Sequence, residues 1–165
     1  MKLWIAQGLG AGRAPVAPGT FGSVVGVGWF FLLLSSHSWI WFVIGNIAAF
    51  ALSVWLCGEG EKILQKRDPG SVVLDEIAAM PLCFTVWMLA AATPRDWPGF
   101  FARYWPGTLI VFALFRLFDV WKPWPVRQSQ ALPGGWGVTI DDTLAAVYVN
   151  VVMGAGLIFL GVLSR

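Results

Sequence analysis

Three long stretches of this chain contain no charged side chain, and they constrain the fold more than any other feature. They cover residues 14–58, 77–94 and 143–164. A helix needs about 20 mostly apolar residues to cross a hydrocarbon core about 30 Å thick, and tilting can adjust that length. Each stretch holds at least one such helix, and the first holds two, separated by a polar turn at residues 35–38. The charge-free stretches therefore predict helices that cross a membrane.

The composition also favours a membrane protein over a water-soluble domain. Of the 165 residues, 58% are hydrophobic and 12% are charged, and the mean hydropathy is +0.71. A soluble domain of this length cannot bury so much apolar surface. The formal net charge of +2 and the scattered Lys and Arg residues give no basic patch of the kind that binds nucleic acid. We therefore expect no nucleic-acid partner.

We predict an all-α integral membrane protein with about five transmembrane helices, forming a single domain over residues 1–165. The predicted spans are 21–34, 39–57, 77–92, 105–118 and 143–163. Basic residues collect at the cytoplasmic ends of membrane helices. With the N-terminus inside, only Arg95, Arg103 and Arg165 of the 11 Lys and Arg residues fall at the outer face. This asymmetry favours an N-in/C-out topology.

The same topology brings acidic residues together at the inner face, although the acids were not used to choose it. They lie just before the third span, just after the fourth and just before the fifth: Asp75, Glu76, Asp119, Asp141 and Asp142. Ionised groups close to hydrocarbon are costly and tend to be functional. Helix capping is the alternative, because the helix dipole favours acids in a first turn and Thr139 with Asp142 has capping-box spacing. Capping does not explain two adjacent pairs, or Asp119 at a helix end.

Basic residues lie close to these acids in the sequence. Arg116 is three residues before Asp119, so the two share a helix face. Two prolines then end the helix and stiffen the segment that carries Lys122 and Arg127. These cations suit a phosphate group, and an ordinary positive-inside loop is the alternative.

A third candidate element leads into the first span. The segment APGTFGS at residues 17–23 combines glycines with the hydroxyls of Thr20 and Ser23, and a helix start supplies free N–H groups. This combination suits an anion, although such a segment is more often a turn and a cap. The glycines at residues 134–137 are interpreted as a flexible lead-in to Asp141.

Clustered carboxylates and cations predict a metal-dependent reaction on a phosphate group. Mg²⁺ takes oxygen ligands, commonly one or two carboxylates with phosphate oxygens and water. The only histidine, His37, is predicted at the outer face, and neither Cys57 nor Cys83 has an arginine six residues later. We interpret both cysteines as small buried hydrophobic residues. Direct attack by a metal-activated water is the mechanism that remains.

Four blocks of the sequence resemble the phosphatidylglycerophosphatase A family of bacterial membrane enzymes. They are APGTFGS, VVLDE, FRLFDVWKPWPVR and GGWGVTIDD, at residues 17–23, 72–76, 115–127 and 134–142. The resemblance implies Mg²⁺-dependent hydrolysis of phosphatidylglycerophosphate to phosphatidylglycerol, at the cytoplasmic face of the bacterial inner membrane. We predict catalytic and metal-binding roles for Asp75, Glu76, Asp119, Asp141 and Asp142. We predict phosphate-binding roles for Lys122, Arg116, Arg127, Thr20 and Ser23.

Two other functions are consistent with acids in a membrane protein. A small transporter or channel would use the acidic cluster as an ion path, with charges distributed through the membrane depth. A non-catalytic scaffold would use the acids only as helix caps and would tolerate Asp to Asn changes. The concentration of charge at one face favours the enzyme.

Overall fold

The computed structural model describes residues 1–90 and 97–159, and these residues form helices and short loops without any strand. Two short 3₁₀ helices, Gly8–Arg13 and Met80–Phe84, interrupt the α-helices. The α-helices are, in order, α1 Lys2–Ala6, α2 Pro18–Leu34, α3 Trp39–Leu64, α4 Leu74–Ala79, α5 Thr85–Ala90, α6 Trp97–Trp121, α7 Val126–Ser129 and α8 Gly135–Phe159. The predicted all-α fold is confirmed for the described part of the chain.

Two of these helices are long and apolar enough to cross a membrane. They are α3 and α8, whose most apolar stretches of 18 residues have mean hydropathies of 2.0 and 1.6; α2 is a shorter apolar helix. Only 28% of each stretch is buried within the protein. The exposed faces carry large apolar side chains such as Ile40, Ile47 and Val151. The core helix of a soluble protein would be mostly buried, so this exposure favours contact with lipid.

The helix boundaries differ from the predicted spans. The first two helices are longer than predicted, since α2 begins at Pro18 and α3 continues to Leu64. The predicted third span falls on a broken helix made of α4, a 3₁₀ turn that contains Pro81, and α5; residues 91–92 lie outside the described part. The predicted fourth span falls within α6, which has a kink at Tyr104 and a proline two residues later.

The helix that contains the predicted fifth span begins before that span. The helix α8 begins at Gly135, eight residues before residue 143, while the predicted residues 160–163 lie outside the described part. A Cβ atom on Gly135 would lie 1.9 Å from the carbonyl oxygen of Val54 in α3. Gly135, one of the glycines interpreted as a flexible lead-in, therefore allows the backbones of α3 and α8 to pack in contact.

The core has an aromatic centre between α2, α6, α8 and the broken third segment. Phe30 and Phe84 stack with ring centroids 4.0 Å apart, and both side chains are fully buried. Gly26 on α2 allows the broken third segment to approach closely, because a Cβ there would lie 3.1 Å from the Cα of Ile77 in α4 and 2.6 Å from the Cβ of Met80 in the 3₁₀ turn. A buried hydrogen bond of 2.8 Å joins the hydroxyls of Ser53 in α3 and Thr139 in α8. The packing fixes the first turn of α4 between α2, α3 and α8.

Candidate active site

Five carboxylates meet at one end of the helical bundle, as the sequence predicts. The first turn of α4 contributes two, the last turn of α6 one and the second turn of α8 two: Asp75, Glu76, Asp119, Asp141 and Asp142. All four aspartates are less than 10% exposed, and Glu76 is partly buried. Acidic side chains are almost never this deeply buried unless a cation or hydrogen-bond donors compensate them. The cluster therefore needs positive partners.

Three of the carboxylates form a group suited to a metal ion. Asp75, Glu76 and Asp142 each contribute one oxygen, and these oxygens lie within 4.8 Å of one another. The Glu76 Oε2 and Asp142 Oδ2 atoms are buried and accept no hydrogen bond from the described residues. Leaving a buried carboxylate oxygen unpaired is costly. A hard divalent cation would satisfy these atoms, since such cations prefer oxygen ligands.

The other two carboxylates are paired with basic side chains instead. Asp119 Oδ2 lies 2.8 Å from the Nη1 atom of Arg116. Asp141 Oδ2 accepts a hydrogen bond from Lys122 Nζ, which also lies 3.9 Å from Asp119 Oδ1. The five predicted metal ligands therefore divide into the three that form the oxygen group and the two that hold cations in place. Of the three, Glu76 and Asp142 each have a buried unpaired oxygen.

The first turn of α2 covers one side of this group. Arg116 Nη1 donates to Ser23 Oγ at 3.3 Å and lies 3.8 Å from Glu76 Oε1. A Cβ atom on Gly19 would lie 2.3 Å from Glu76 Oε1, so a side chain at that position would displace the Glu76 carboxylate. Thr20 lies half-buried in the same turn, and its hydroxyl has no hydrogen bond to the described residues. The predicted α2 segment thus reaches the carboxylates.

The segment after α6 brings one of its two predicted cations to the cluster. Lys122 adopts a left-handed conformation (φ 49°), and its N–H donates to the Phe118 carbonyl at 2.8 Å. This turn directs its side chain toward Asp141. Arg127 lies on α7, is exposed, and makes no ion pair with the described residues. The structure therefore does not bring Arg127 into the predicted phosphate site.

Helix capping does not explain the acids of α8. Asp141 and Asp142 lie in the second turn of the helix, where no free backbone N–H groups remain. Thr139 is inside the helix and bonds to Ser53, so the predicted capping box of Thr139 and Asp142 is wrong. On α4, in contrast, Asp75 and Glu76 do lie in the first turn, where the helix dipole favours them.

The comparison with protein families identifies the kind of protein to which this site belongs. The family model described as Phosphatidylglycerophosphatase A matches residues 4–157. The chain belongs to the phosphatidylglycerophosphatase A family. It is therefore a phosphatase, and the carboxylate cluster lies within the matched region. No solved structure matches the chain.

Individual relatives of this phosphatase are similar over nearly their whole length. Phosphatidylglycerophosphatase A of Escherichia coli is 32% identical over 169 residues, covering 97% of this chain and 87% of the relative. Phosphatidylglycerophosphatase A of Haemophilus influenzae is 36% identical over 150 residues, covering 90% and 84%. A Bacteroides thetaiotaomicron protein, provisionally named a phosphatidylinositol-3-phosphatase, is 33% identical over 153 residues, covering 90% and 88%. Each of these names describes a phosphatase that acts on a phospholipid.

The electrostatics of the candidate site follow from burial. Burial, and then the negative charge of Glu76, raise the pKa of Asp75 well above its usual range. Burial also raises the pKa of Glu76 to about 7. Burial alone would lower the pKa of Lys122, but the hydrogen bond to Asp141 and the nearby carboxylates raise it. The lysine therefore stays charged, and a bound cation would displace protons from the acids.

One acidic residue near the site was not predicted. Asp68 follows α3 in a loop, and its negative charge contributes to the raised pKa of Asp75. With Arg67 and Gly137 it lines a cleft of about 400 Å³, and its Oδ2 atom accepts from the Gln130 side chain at 3.3 Å. The adjacent basic residues and the Asp-Pro pair give this loop the sequence of an ordinary surface turn. Only the fold shows that it lies beside the carboxylates.

Proposed function

We propose that this chain hydrolyses the terminal phosphate of phosphatidylglycerophosphate, giving phosphatidylglycerol and phosphate, and that it requires Mg²⁺. The observation that carries the proposal is the group formed by Asp75, Glu76 and Asp142, with two buried unpaired oxygens, beside Arg116 and Lys122. The names of two relatives support phosphatidylglycerophosphate as the lipid substrate. The name of a third relative makes phosphatidylinositol 3-phosphate the substrate for comparison.

We further propose five spans in one domain of a bacterial inner membrane, with the N-terminus and the site at the cytoplasmic face. The spans would lie within α2, α3, the broken segment α4–α5, α6 and α8, at the predicted residues 21–34, 39–57, 77–92, 105–118 and 143–163, so the acids stay just outside them. The exposed apolar faces of α3 and α8 support this arrangement. It places the carboxylates at the depth of the lipid headgroups, where a phosphate on such a headgroup can reach them.

Each residue of the proposed site has a distinct task. Asp75, Glu76 and Asp142 would hold Mg²⁺, which supplies a Lewis acid that lowers the pKa of a bound water and offsets phosphate charge. Arg116 and Lys122 would bind phosphate oxygens, and their ion pairs with Asp119 and Asp141 would fix their positions. The hydroxyls of Thr20 and Ser23 would lie at the edge of the phosphate site.

The geometry gives less support to an ion path. A channel or transporter would place charged side chains at several depths. Here the acids of α4, α6 and α8 gather at a single end of the bundle, and the described length of α8 after Asp142 carries no charge. The deeper part of α8 faces an apolar groove.

The proposal is tested by measuring phosphate release from three lipids with purified protein in mixed micelles. The lipids are phosphatidylglycerophosphate, phosphatidylinositol 3-phosphate and phosphatidic acid, each with Mg²⁺ and with a chelator. We expect release that requires Mg²⁺ and is fastest with phosphatidylglycerophosphate. Equal release in the chelator would contradict the metal site, and a clear preference for either other lipid would contradict the proposed substrate.

A further inference from the structure

An apolar groove runs along α8 from the carboxylate cluster toward the other end of the bundle. It has a volume of about 770 Å³ and lies between α8 and the broken third segment. Its described apolar lining includes Leu82, Val86, Val147, Val151, Gly154 and Ile158. Val147 and Val151 are exposed, so the groove is open along its side.

The polar side chains in the groove wall turn their polar atoms toward the protein backbone. Thr143 donates to the Thr139 carbonyl at 2.7 Å, and Thr85 donates to the Leu82 carbonyl at 2.8 Å. The Asn150 amide donates to the Leu82 and Ala146 carbonyls and accepts from the Val86 N–H, each at 2.8 Å. These bonds satisfy the three polar groups within the protein. The surface that remains for an occupant is therefore almost entirely hydrocarbon.

The groove begins within one helical turn of the candidate active site. Its lining residues Thr143 and Ala146 lie one and four residues after Asp142 on α8. From Thr143 to Ile158 the helix rises about 22 Å, at 1.5 Å per residue. One leaflet of a bilayer is about 15 Å deep, half of a 30 Å hydrocarbon core. The groove is thus long enough for a whole acyl chain whose headgroup lies at the carboxylates.

We propose that this groove binds one acyl chain of the glycerophospholipid substrate and aligns the headgroup phosphate with the metal-binding carboxylates. The inference rests on the proposed function, because it requires a lipid substrate at this site. The apolar wall excludes a polar or charged occupant. Contact along the groove orients the lipid before reaction, which lowers the entropic cost of positioning the phosphate.

A matched pair of glycines on α8 provides the test. Gly154 lines the groove, and a Cβ there would lie 3.5 Å from Val86 Cγ1, which is an ordinary contact. A Cβ on Gly156 would meet nothing within 4 Å, and this residue is exposed outside the groove lining. Gly154→Leu therefore fills the groove, while Gly156→Leu makes the same change in helix propensity on an open face. Gly154→Ala is the milder variant if the leucine reduces folding.

The measurement compares kcat/KM for dioleoyl and dibutyryl phosphatidylglycerophosphate in mixed micelles, with thermal unfolding as the control for folding. We expect Gly154→Leu to lower kcat/KM for the dioleoyl lipid by about five- to tenfold, mainly through KM, because the displaced chain loses apolar contact. The dibutyryl lipid should be hydrolysed at the wild-type rate. Gly156→Leu should match the wild type with both lipids.

The outcomes separate this inference from the proposed function. If the wild type hydrolyses both lipids and Gly154→Leu lowers both rates equally or neither, the groove does not bind the acyl chain and the phosphatase proposal stands. If the wild type releases phosphate from neither lipid, the proposed function and the inference that rests on it are both overturned.

Discussion

At the scale of single residues, the site combines unpaired acids with cations fixed by other acids. Asp119 and Asp141 each hold one basic side chain, so the positive charge sits beside the free oxygens of Glu76 and Asp142. The sequence predicts all five acids because their positions at helix ends are unusual for a membrane protein. It does not predict which acids pair with cations and which keep unpaired oxygens, because side-chain pairing depends on how the helices are rotated.

Lys122 and Arg127 test which cation after α6 binds the phosphate. Lys122 contacts Asp141 and approaches Asp119, whereas Arg127 is exposed. We expect Lys122→Ala to lower kcat/KM by about a hundredfold, since it removes a charge-assisted contact and leaves Asp141 unpaired. Arg127→Ala should change it by less than about threefold. Steady-state phosphate release with thermal unfolding of both variants measures this, and an equal loss in both would contradict the assignment.

Gly19 tests the contact between α2 and the site. Gly19→Ala would place a Cβ 2.3 Å from Glu76 Oε1 and 3.1 Å from Arg116 Nη1, so both side chains must move. We expect activity to fall by about ten- to a hundredfold, because small displacements of catalytic groups are costly. Gly28→Ala is the control, since it lies on the same helix and its Cβ would meet nothing within 4 Å. Wild-type activity in Gly19→Ala would show that α2 does not form the site.

At the scale of helices, apolar length is easier to predict than helix ends. The segments α2 and α3 follow from charge-free sequence and a polar turn between them. The start of α8 does not, because Gly134 and Gly135 resemble a loop, and only the approach of Val54 and Gly58 explains why glycine is needed inside the helix. The break in the third segment is also not predicted from the sequence. The hydrogen bonds that satisfy its backbone come from Asn150, which lies on α8, far along the chain.

Gly135 tests whether the contact between α3 and α8 positions the acids. In Gly135→Ala the Cβ would lie 1.9 Å from the Val54 carbonyl oxygen, so α8 must shift away from α3. We expect a loss of about 1–3 kcal/mol in the free energy of unfolding, with lower phosphate release, because Asp141 and Asp142 move with the helix. Thermal unfolding in detergent measures the loss. Gly156→Ala should leave phosphate release unchanged and should not lower the free energy of unfolding, because its Cβ meets nothing within 4 Å and alanine favours a helix. Equal behaviour of the two variants would contradict the close packing.

At the scale of the whole molecule, the proposed topology places all five acids of the site at the cytoplasmic face. Membrane-impermeant thiol labelling of intact spheroplasts tests this orientation with single added cysteines. Ser36→Cys lies in the exposed turn between α2 and α3, and Gln65→Cys lies just after α3 near the site. We expect only the first to react from outside, while the native Cys57 and Cys83 are buried and should not react. Labelling of only Gln65→Cys would reverse the topology.

The central claim is that Asp75, Glu76 and Asp142 form the metal site of a lipid phosphatase. The most direct measurement is the affinity of Asp142→Asn for a divalent cation, monitored by the electron paramagnetic resonance signal of Mn²⁺. Mg²⁺-dependent phosphate release is measured on the same variant. Glu59→Gln is the control, since Glu59 pairs with Lys2 and Lys62 outside the cluster. We expect Asp142→Asn to lose about a hundredfold or more in both its affinity for the cation and its rate of phosphate release, while Glu59→Gln keeps both. A folded Asp142→Asn protein that binds the ion and releases phosphate like the wild type would contradict it.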